Sequence, residues 1–435
     1  MAGTVDGNST RTLLLALDAV SYRVATEAVS RGAFAGWTAP SVLVAPFPSL
    51  THVGFAALFQ PFGVGPSWGY EVRYFDAAAN HTVGGNPLTY RHDLAPWCEL
   101  IDVSRRSVPS KVANYVSSPR AAVAELDEIF RELLLSPRDL VIAYVGATDG
   151  FAHLYEEDRL VRFLVDLDGQ VRDLAVRHQE QRGRGLRVVL FSDHGCGRDA
   201  VHYTGSFKPL LREAGLRVVD HLEAPQDVVA PTFGIVNYSS LFLKDDTRAE
   251  AAAQVMATHE AVDLAAFSLR PGLVEIIGRS GRARVRWSGP AGQVRYACED
   301  LAGDLLGLAE ARRRLTAAGR FDQDGFAHED HWLAETAFEQ YSDPLRRLAL
   351  AFSGGRVGSR ASVLLSLGPG WSWGWRSAYV SGLLRGGHLK GTHGGLDQGS
   401  SLGFLIASDP GLAPLPVVRA EDALAQFADA VHAAR

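Results

Sequence analysis

The stretch 12-TLLLALDAV-20 decides the fold. Its apolar run, Leu13–Leu17, does not alternate with polar residues and stops against Asp18. A short unalternated run is how a strand buried on both faces reads, and an acidic residue at its end is where such a strand presents a functional group. Two later stretches repeat the form. The run in 139-DLVIAYVGATDG-150 leads to Asp149, and the run in 186-LRVVLFSDHGCG-197 leads to Asp193 and His194. A fourth apolar run stands in 401-SLGFLIASDP-410.

Between these runs, 119-PRAAVAELDEIFRELLL-135 and 156-EEDRLVRFLVDLDGQVRDLAVRHQE-180 place apolar residues at i, i+3, i+4 and i+7, the helical spacing. Strand and helix alternate, so the class is α/β with a mainly parallel central sheet flanked by helices. The middle of the chain differs. In 272-GLVEIIGRSGRARVRWSG-289 two strand-like runs are joined by a Ser-Gly turn, and 291-AGQVRYACED-300 follows. This reads as a smaller α+β subdomain with antiparallel strands, inserted over residues 215–355 and covering the site. Residues 1–214 and 356–435 then form the two parts of the core. The stretch 365-LSLGPGWSWGWRS-377 reads as a Gly/Trp-rich loop near the site.

Composition limits the function. The chain has 435 residues, 47% of them apolar and 21% charged, a globular balance. A net charge of −6 gives no broad surface for nucleic acid. Cys98, Cys196 and Cys298 are widely spaced and form no CxxC pair, which fits a reducing compartment. The N-terminal apolar run is too short for a signal segment and lacks a basic start. The expectation is therefore a cytoplasmic protein, or a periplasmic or secreted one if a leader has been removed. No stretch is long and apolar enough to span a membrane. Oligomeric state is left open.

Ligands in open α/β sheets collect at the carboxyl ends of the strands, so Asp18, Asp149, Asp193 and His194 can converge. His153 stands four residues after Asp149, a spacing that lets both side chains face one way across a helical turn. In 386-GGHLKGTHGGLD-397, His388 and His393 lie in similar Gly-rich contexts. Mixed Asp and His ligands suit zinc or another borderline divalent metal. Singly, an Asp after a strand is more often a cap or turn residue. Their joint occurrence at three strand ends argues for a site. The stretch 47-FPSLTHVGF-55 adds two hydroxyl nucleophile candidates, Ser49 and Thr51, just ahead of the apolar run 54-GFAALF-59. Thr51 can equally serve as the cap of that helix.

In this order, Asp18, FPSLT, TDGFAH, SDHG and GTHGG resemble the alkaline phosphatase superfamily, and within it the type I phosphodiesterase/nucleotide pyrophosphatase group. The resemblance spans about residues 12–410. It implies an alkaline-phosphatase-like fold and two divalent metal ions, Zn2+ or Mn2+. One ion would take Asp149, His153 and His393, with His388 as the alternative to His393. The other would take Asp18, Asp193 and His194, with Thr51 as bridging nucleophile in preference to Ser49. The implied activity is hydrolysis of a small phosphorylated substrate through a phospho-threonine intermediate, by a phosphodiesterase or nucleotide pyrophosphatase. The alternatives are a phosphomonoesterase and a non-catalytic binding protein on the same scaffold. A sulfatase is disfavoured, because no C/S-x-P-x-R motif stands at the nucleophile. One departure concerns substrate binding. Where the family commonly carries an asparagine three residues after the nucleophile, this chain has Gly54. His52, a backbone N–H or a distant Arg or Lys would have to replace it. His202 and Lys208, in 199-DAVHYTGSFKPLL-211, are further candidates to reach the substrate.

Overall fold

The computed structural model describes residues 10–85, 95–103, 117–374, 389–412 and 414–434. His388 and the Trp375–Ser377 end of the Gly/Trp-rich stretch lie outside them. A central six-stranded sheet is built from β1 (Arg11–Leu17), β2 (Ser41–Val44), β3 (Leu140–Val145), β4 (Leu186–Phe191), β5 (Leu402–Ala407) and β6 (Val417–Arg419), in the order β6-β2-β5-β4-β1-β3. β1 runs parallel to both β3 and β4, while β5 is antiparallel to β4 and β2. The sheet is thus mainly parallel, and the fourth apolar run supplies its antiparallel member.

Both faces of the sheet are covered, which is why its strands read as unbroken apolar runs. Leu13, Leu15, Val141, Ala143, Val188 and Leu190 point to one side. There they meet four helices: α1 (Tyr22–Ser30), α3 (Ser118–Leu135), α4 (Ala147–Leu154) and α5 (Glu157–Arg182). Leu14, Ala16, Ile142, Val189 and Phe191 point to the other side and meet Phe55, Leu58 and Phe59 of α2 (Thr51–Leu58) and its exit. Helix ends carry local signals. Ser21 caps α1 by accepting from the Val24 N–H, and α5 begins with Glu157 and Asp158 and ends at Gly183 in the left-handed region.

A second, nine-stranded sheet contains the hairpin Leu273–Gly278 and Gly281–Ser288 and the strand Arg295–Ala302, paired antiparallel as the Ser-Gly turn implied. Its strands span Arg217–Val218 to Val363–Leu367. The last of these, beyond residue 355, sits mid-sheet between Tyr238–Leu243 and Val262–Arg270. The Gly/Trp-rich stretch, expected to be a loop, is instead strand, turn and strand: Val363–Leu367 and Trp371–Gly374 flank Gly368–Gly370. Tryptophan suits a pleated surface, and the Gly-Pro-Gly segment confines the turn to three residues. Phe47, Leu50 and Val53 pack with Tyr238, Leu264 and Ile276 of this second sheet. The segment around Thr51 is therefore held between the two sheets. Among the described residues no helix is long and apolar enough to cross a membrane.

Candidate metal centre

The strand ends converge as their order implied. Asp18 follows β1, Asp193 and His194 follow β4, and Asp149 and His153 lie on α4 immediately after β3. His393 arrives from the loop before β5. Two triads result, Asp149–His153–His393 and Asp18–Asp193–His194. In each, one ligating atom per residue lies within 4.8 Å of the other two. The triads adjoin: the His194 and His393 rings stack with centroids 4.1 Å apart.

Each histidine is oriented by its other nitrogen. His153 Nδ1 donates to Gly391 O (2.8 Å), His194 Nδ1 to Gly195 O (2.9 Å) and His393 Nδ1 to Ser49 O (3.1 Å). A proton committed to Nδ1 leaves Nε2 with a lone pair in the neutral ring, the form that ligates a metal. All three Nε2 atoms face carboxylates. His153 and His393 stand 3.1 and 3.2 Å from Asp149 Oδ1, and His194 stands 3.2 Å from Asp193 Oδ2. Burial, reinforced by His393, pushes His194 well below the ordinary imidazole range, so its ring is neutral. Asp193 Oδ2 is buried, and no hydrogen-bond partner reaches it among the described residues. An imidazole lone pair and a carboxylate oxygen at this distance repel unless a proton or a cation lies between them. The donor set and its geometry therefore fit a divalent cation in each triad.

The carboxyls of the two triads are shifted in opposite directions. Burial alone would raise Asp149, but His153 and His393 overcome it and hold the group well below the usual carboxylate range. Burial, followed by the charges of Asp193 and Asp149, pushes Asp18 well up. Burial pushes Asp193 up to about 7, although the Ala19 N–H donates to its Oδ1 at 3.3 Å. Ala19 makes that bond from the left-handed region, at φ 57°, a conformation that costs an L-residue about 1–2 kcal/mol.

Thr51 is the first residue of α2, and Leu50 is its cap, so Thr51 is not the cap itself. The helix starts at the threonine rather than just after it. Thr51 Oγ1 lies 3.4 Å from Asp18 Oδ1 and 3.3 Å from His194 Nε2, beside one triad. Ser49, the other candidate, is fully buried, and its Oγ accepts from Arg347 at 2.8 Å and lies 3.1 Å from both Pro46 O and Gly395 O. That hydroxyl is committed to holding loops. Gly54 donates its N–H to Leu50 O (2.7 Å), and a Cβ there would come within 2.9 Å of Asp193 O. The position is a packing contact between α2 and the Asp193 loop, where any added side chain would force the two apart. Gly195 is similarly pinned, with a Cβ falling 2.4 Å from Gly399 O. His52 accepts from Trp97 Nε1 on its Nδ1 at 3.1 Å. His202 is exposed, pairs its backbone with the Gly370–Trp371 segment and joins neither triad, and Lys208 begins a short helix.

Sequence reasoning missed three supporting residues. The Tyr144 hydroxyl donates to Asp18 Oδ2. Asn237, in the bend just before the strand Tyr238–Leu243, donates its backbone N–H to His393 O (2.8 Å) and its side chain to Asp397 Oδ2 (3.1 Å), fixing the His393 loop. Arg347 meets Ser49. Tyr144 alone had a signal in the sequence, a polar residue interrupting the apolar run of β3.

No protein-family model matches the chain, and no curated protein does. Among solved structures, phosphonoacetate hydrolase from Sinorhizobium meliloti in complex with phosphonoformate is similar over 99% of this chain and 97% of that one, with a TM-score of 0.50 at 13% identity. Human ectonucleotide pyrophosphatase/phosphodiesterase 5 aligns over 97% of this chain and 95% of its own, with a TM-score of 0.48 at 8% identity. The first likeness establishes the fold, and it is the alkaline-phosphatase-like fold that the ordered motifs implied.

Proposed function

We propose that this chain is a metal-dependent hydrolase of phosphoric esters, most directly a phosphodiesterase of the nucleotide pyrophosphatase kind, with Thr51 as nucleophile. The observation that carries the reading is Thr51 Oγ1 at 3.4 Å from Asp18 and 3.3 Å from His194, at the first residue of a helix and beside two ligand triads. Two divalent cations, Zn2+ or Mn2+, one held by Asp149, His153 and His393 and one by Asp18, Asp193 and His194, would neutralise phosphoryl charge and lower the pKa of the threonine hydroxyl. Thr51 Oγ1 lies beside the Asp18 and His194 ligand atoms, so a cation held there would favour loss of its proton. The first-turn N–H groups of α2 have no intrahelical acceptor and bias the site towards an anion.

In the reaction so read, the Thr51 Oγ–P bond forms as the bond from phosphorus to the leaving oxygen breaks. Water then cleaves phospho-threonine, restoring the hydroxyl and releasing a phosphomonoester. The second sheet and its helices act as the cover that selects the leaving group, a role supported by Asn237, which immediately precedes the strand Tyr238–Leu243 of that sheet and bonds the His393 loop. The test compares thymidine 5′-p-nitrophenyl phosphate with p-nitrophenyl phosphate on zinc-loaded protein, with Thr51→Ala as control. Thr51-dependent preference for the diester is expected. Preference for the monoester would move the protein to the phosphatase reading. No Thr51-dependent turnover of either would favour a binding protein on the same scaffold.

A further inference from the structure

Arg347 belongs to neither triad and touches none of the six ligands. It lies on α6 (Pro344–Ser353), its side chain buried, and among the described residues no carboxylate forms an ion pair with it. Its guanidinium is held by main-chain carbonyls and one hydroxyl. Nη1 donates to Ser342 O and Leu396 O, both at 3.0 Å, while Nη2 donates to Ser49 Oγ at 2.8 Å and Pro46 O at 3.4 Å. Burial depresses Arg347 to about 10, which still leaves it charged at neutral pH. A buried cation that is hydrogen-bonded by carbonyls and a hydroxyl, with the Asp343 and Asp397 charges supporting it from a distance, is costly to keep, and here it spans two segments far apart in sequence.

Those segments carry the nucleophile and a ligand. Pro46 and Ser49 lead directly into Thr51, and Leu396 closes the loop that holds His393. The two are stitched at the same place by the Ser49 N–H donating to Gly394 O (3.2 Å) and by His393 Nδ1 donating to Ser49 O (3.1 Å). The rigid fork of an arginine suits such a bridge, because its donors diverge from one plane with fixed angles.

We propose that Arg347 is a positioning residue: by locking Ser49 to the His393 loop, it fixes the orientation of His393 and the placement of Thr51 through one buried contact. The proposal rests on the reading of Thr51 as nucleophile and of the His393 triad as a cation site.

The test is calorimetric titration of zinc into the metal-free full chain, for wild type, Ser49→Ala, Arg347→Lys and the double variant, with melting temperature and kinetics on the diester alongside. Wild type should take two equivalents. Each single variant should weaken one equivalent by about 10–100-fold, the range for changes behind a ligand, and leave the other within about twofold. kcat should fall with KM nearly unchanged, and the double variant should be little worse than either single one, because both remove the same contact. Ser49→Ala deletes one hydroxyl and carries the test should Arg347→Lys not fold. Equal weakening of both equivalents in folded variants, or additive losses, would overturn the proposal and leave Arg347 a purely structural residue. Wild type that binds no zinc would overturn both this inference and the metal reading. Wild type with two equivalents and variants like it would overturn this inference alone.

Discussion

In the triad of Asp149, His153 and His393, one carboxylate meets two imidazoles; in that of Asp18, Asp193 and His194, two carboxylates meet one. The first balances itself. Asp149 is held well below the usual range, and His153 is raised, since Asp149 overcomes the burial that would lower it. The second does not balance. Asp18 and Asp193 are both raised and His194 is lowered, each chiefly by burial. Without a cation, protons must stand in for the missing charge there. Metal must therefore displace a proton from an imidazole in the first triad and from carboxyls in the second, and Thr51 stands beside the second.

The largest effect expected from this contrast is that of Asp193→Asn. It should cost more zinc affinity than the roughly 10–100-fold typical of residues behind a ligand, and diester turnover should collapse with it. Yet the metal-free variant should melt higher than metal-free wild type at pH 8, because a carboxyl reluctant to ionise has been removed. A lower melting temperature at pH 8 would break the comparison.

The second expectation concerns pH alone. Asp193 holds its proton to about pH 7 when folded, against roughly 3.9 in an unfolded chain. Between about pH 4 and pH 7 the folded state therefore binds more protons than the unfolded state, and stability falls as pH rises. Metal-free protein should melt lower at pH 8 than at pH 5, and saturating zinc should reduce that trend to the part contributed by Glu71, which burial also pushes up to about 7. A metal-free melting temperature that rises steadily across this window would contradict the assignment.

Tyr144→Phe removes the donor that partly restrains Asp18. Zinc affinity should fall by about tenfold at the Asp18 triad, towards the lower end of the outer-shell range, with the other equivalent unchanged. Calorimetry resolves the two equivalents. The smallest effect is that of Gly54→Ala, whose Cβ would lie within 2.9 Å of Asp193 O. Overpacking of this kind costs about 1–3 kcal/mol, measurable by urea denaturation. A neutral result would mean that α2 can move off the Asp193 loop.

What was legible in the sequence was local. Asp18, Asp149, Asp193 and His194 stand within a residue or a few of an apolar run, so the strand and its ligand are read together. His153 follows from a spacing of four, and Thr51 from a short motif. The support for these groups was not legible, because it is distant in the chain. Arg347 meets Ser49 across 298 residues and Asn237 meets Asp397 across 160. Strand direction was also hidden. A run buried on both faces, such as Leu402–Ala407, reads alike whether its neighbours are parallel or antiparallel. The placement of Val363–Leu367 inside the second sheet was unreadable for the same reason, since its partners are more than a hundred residues upstream on one side and nearly so on the other.

The most direct test is a crystal of the zinc-loaded protein with anomalous differences collected at the zinc edge. The account predicts two peaks, one inside Asp149–His153–His393 and one inside Asp18–Asp193–His194, the latter next to Thr51 Oγ1. Peaks elsewhere, or an empty Asp18 triad in crystals at pH 8, would contradict it.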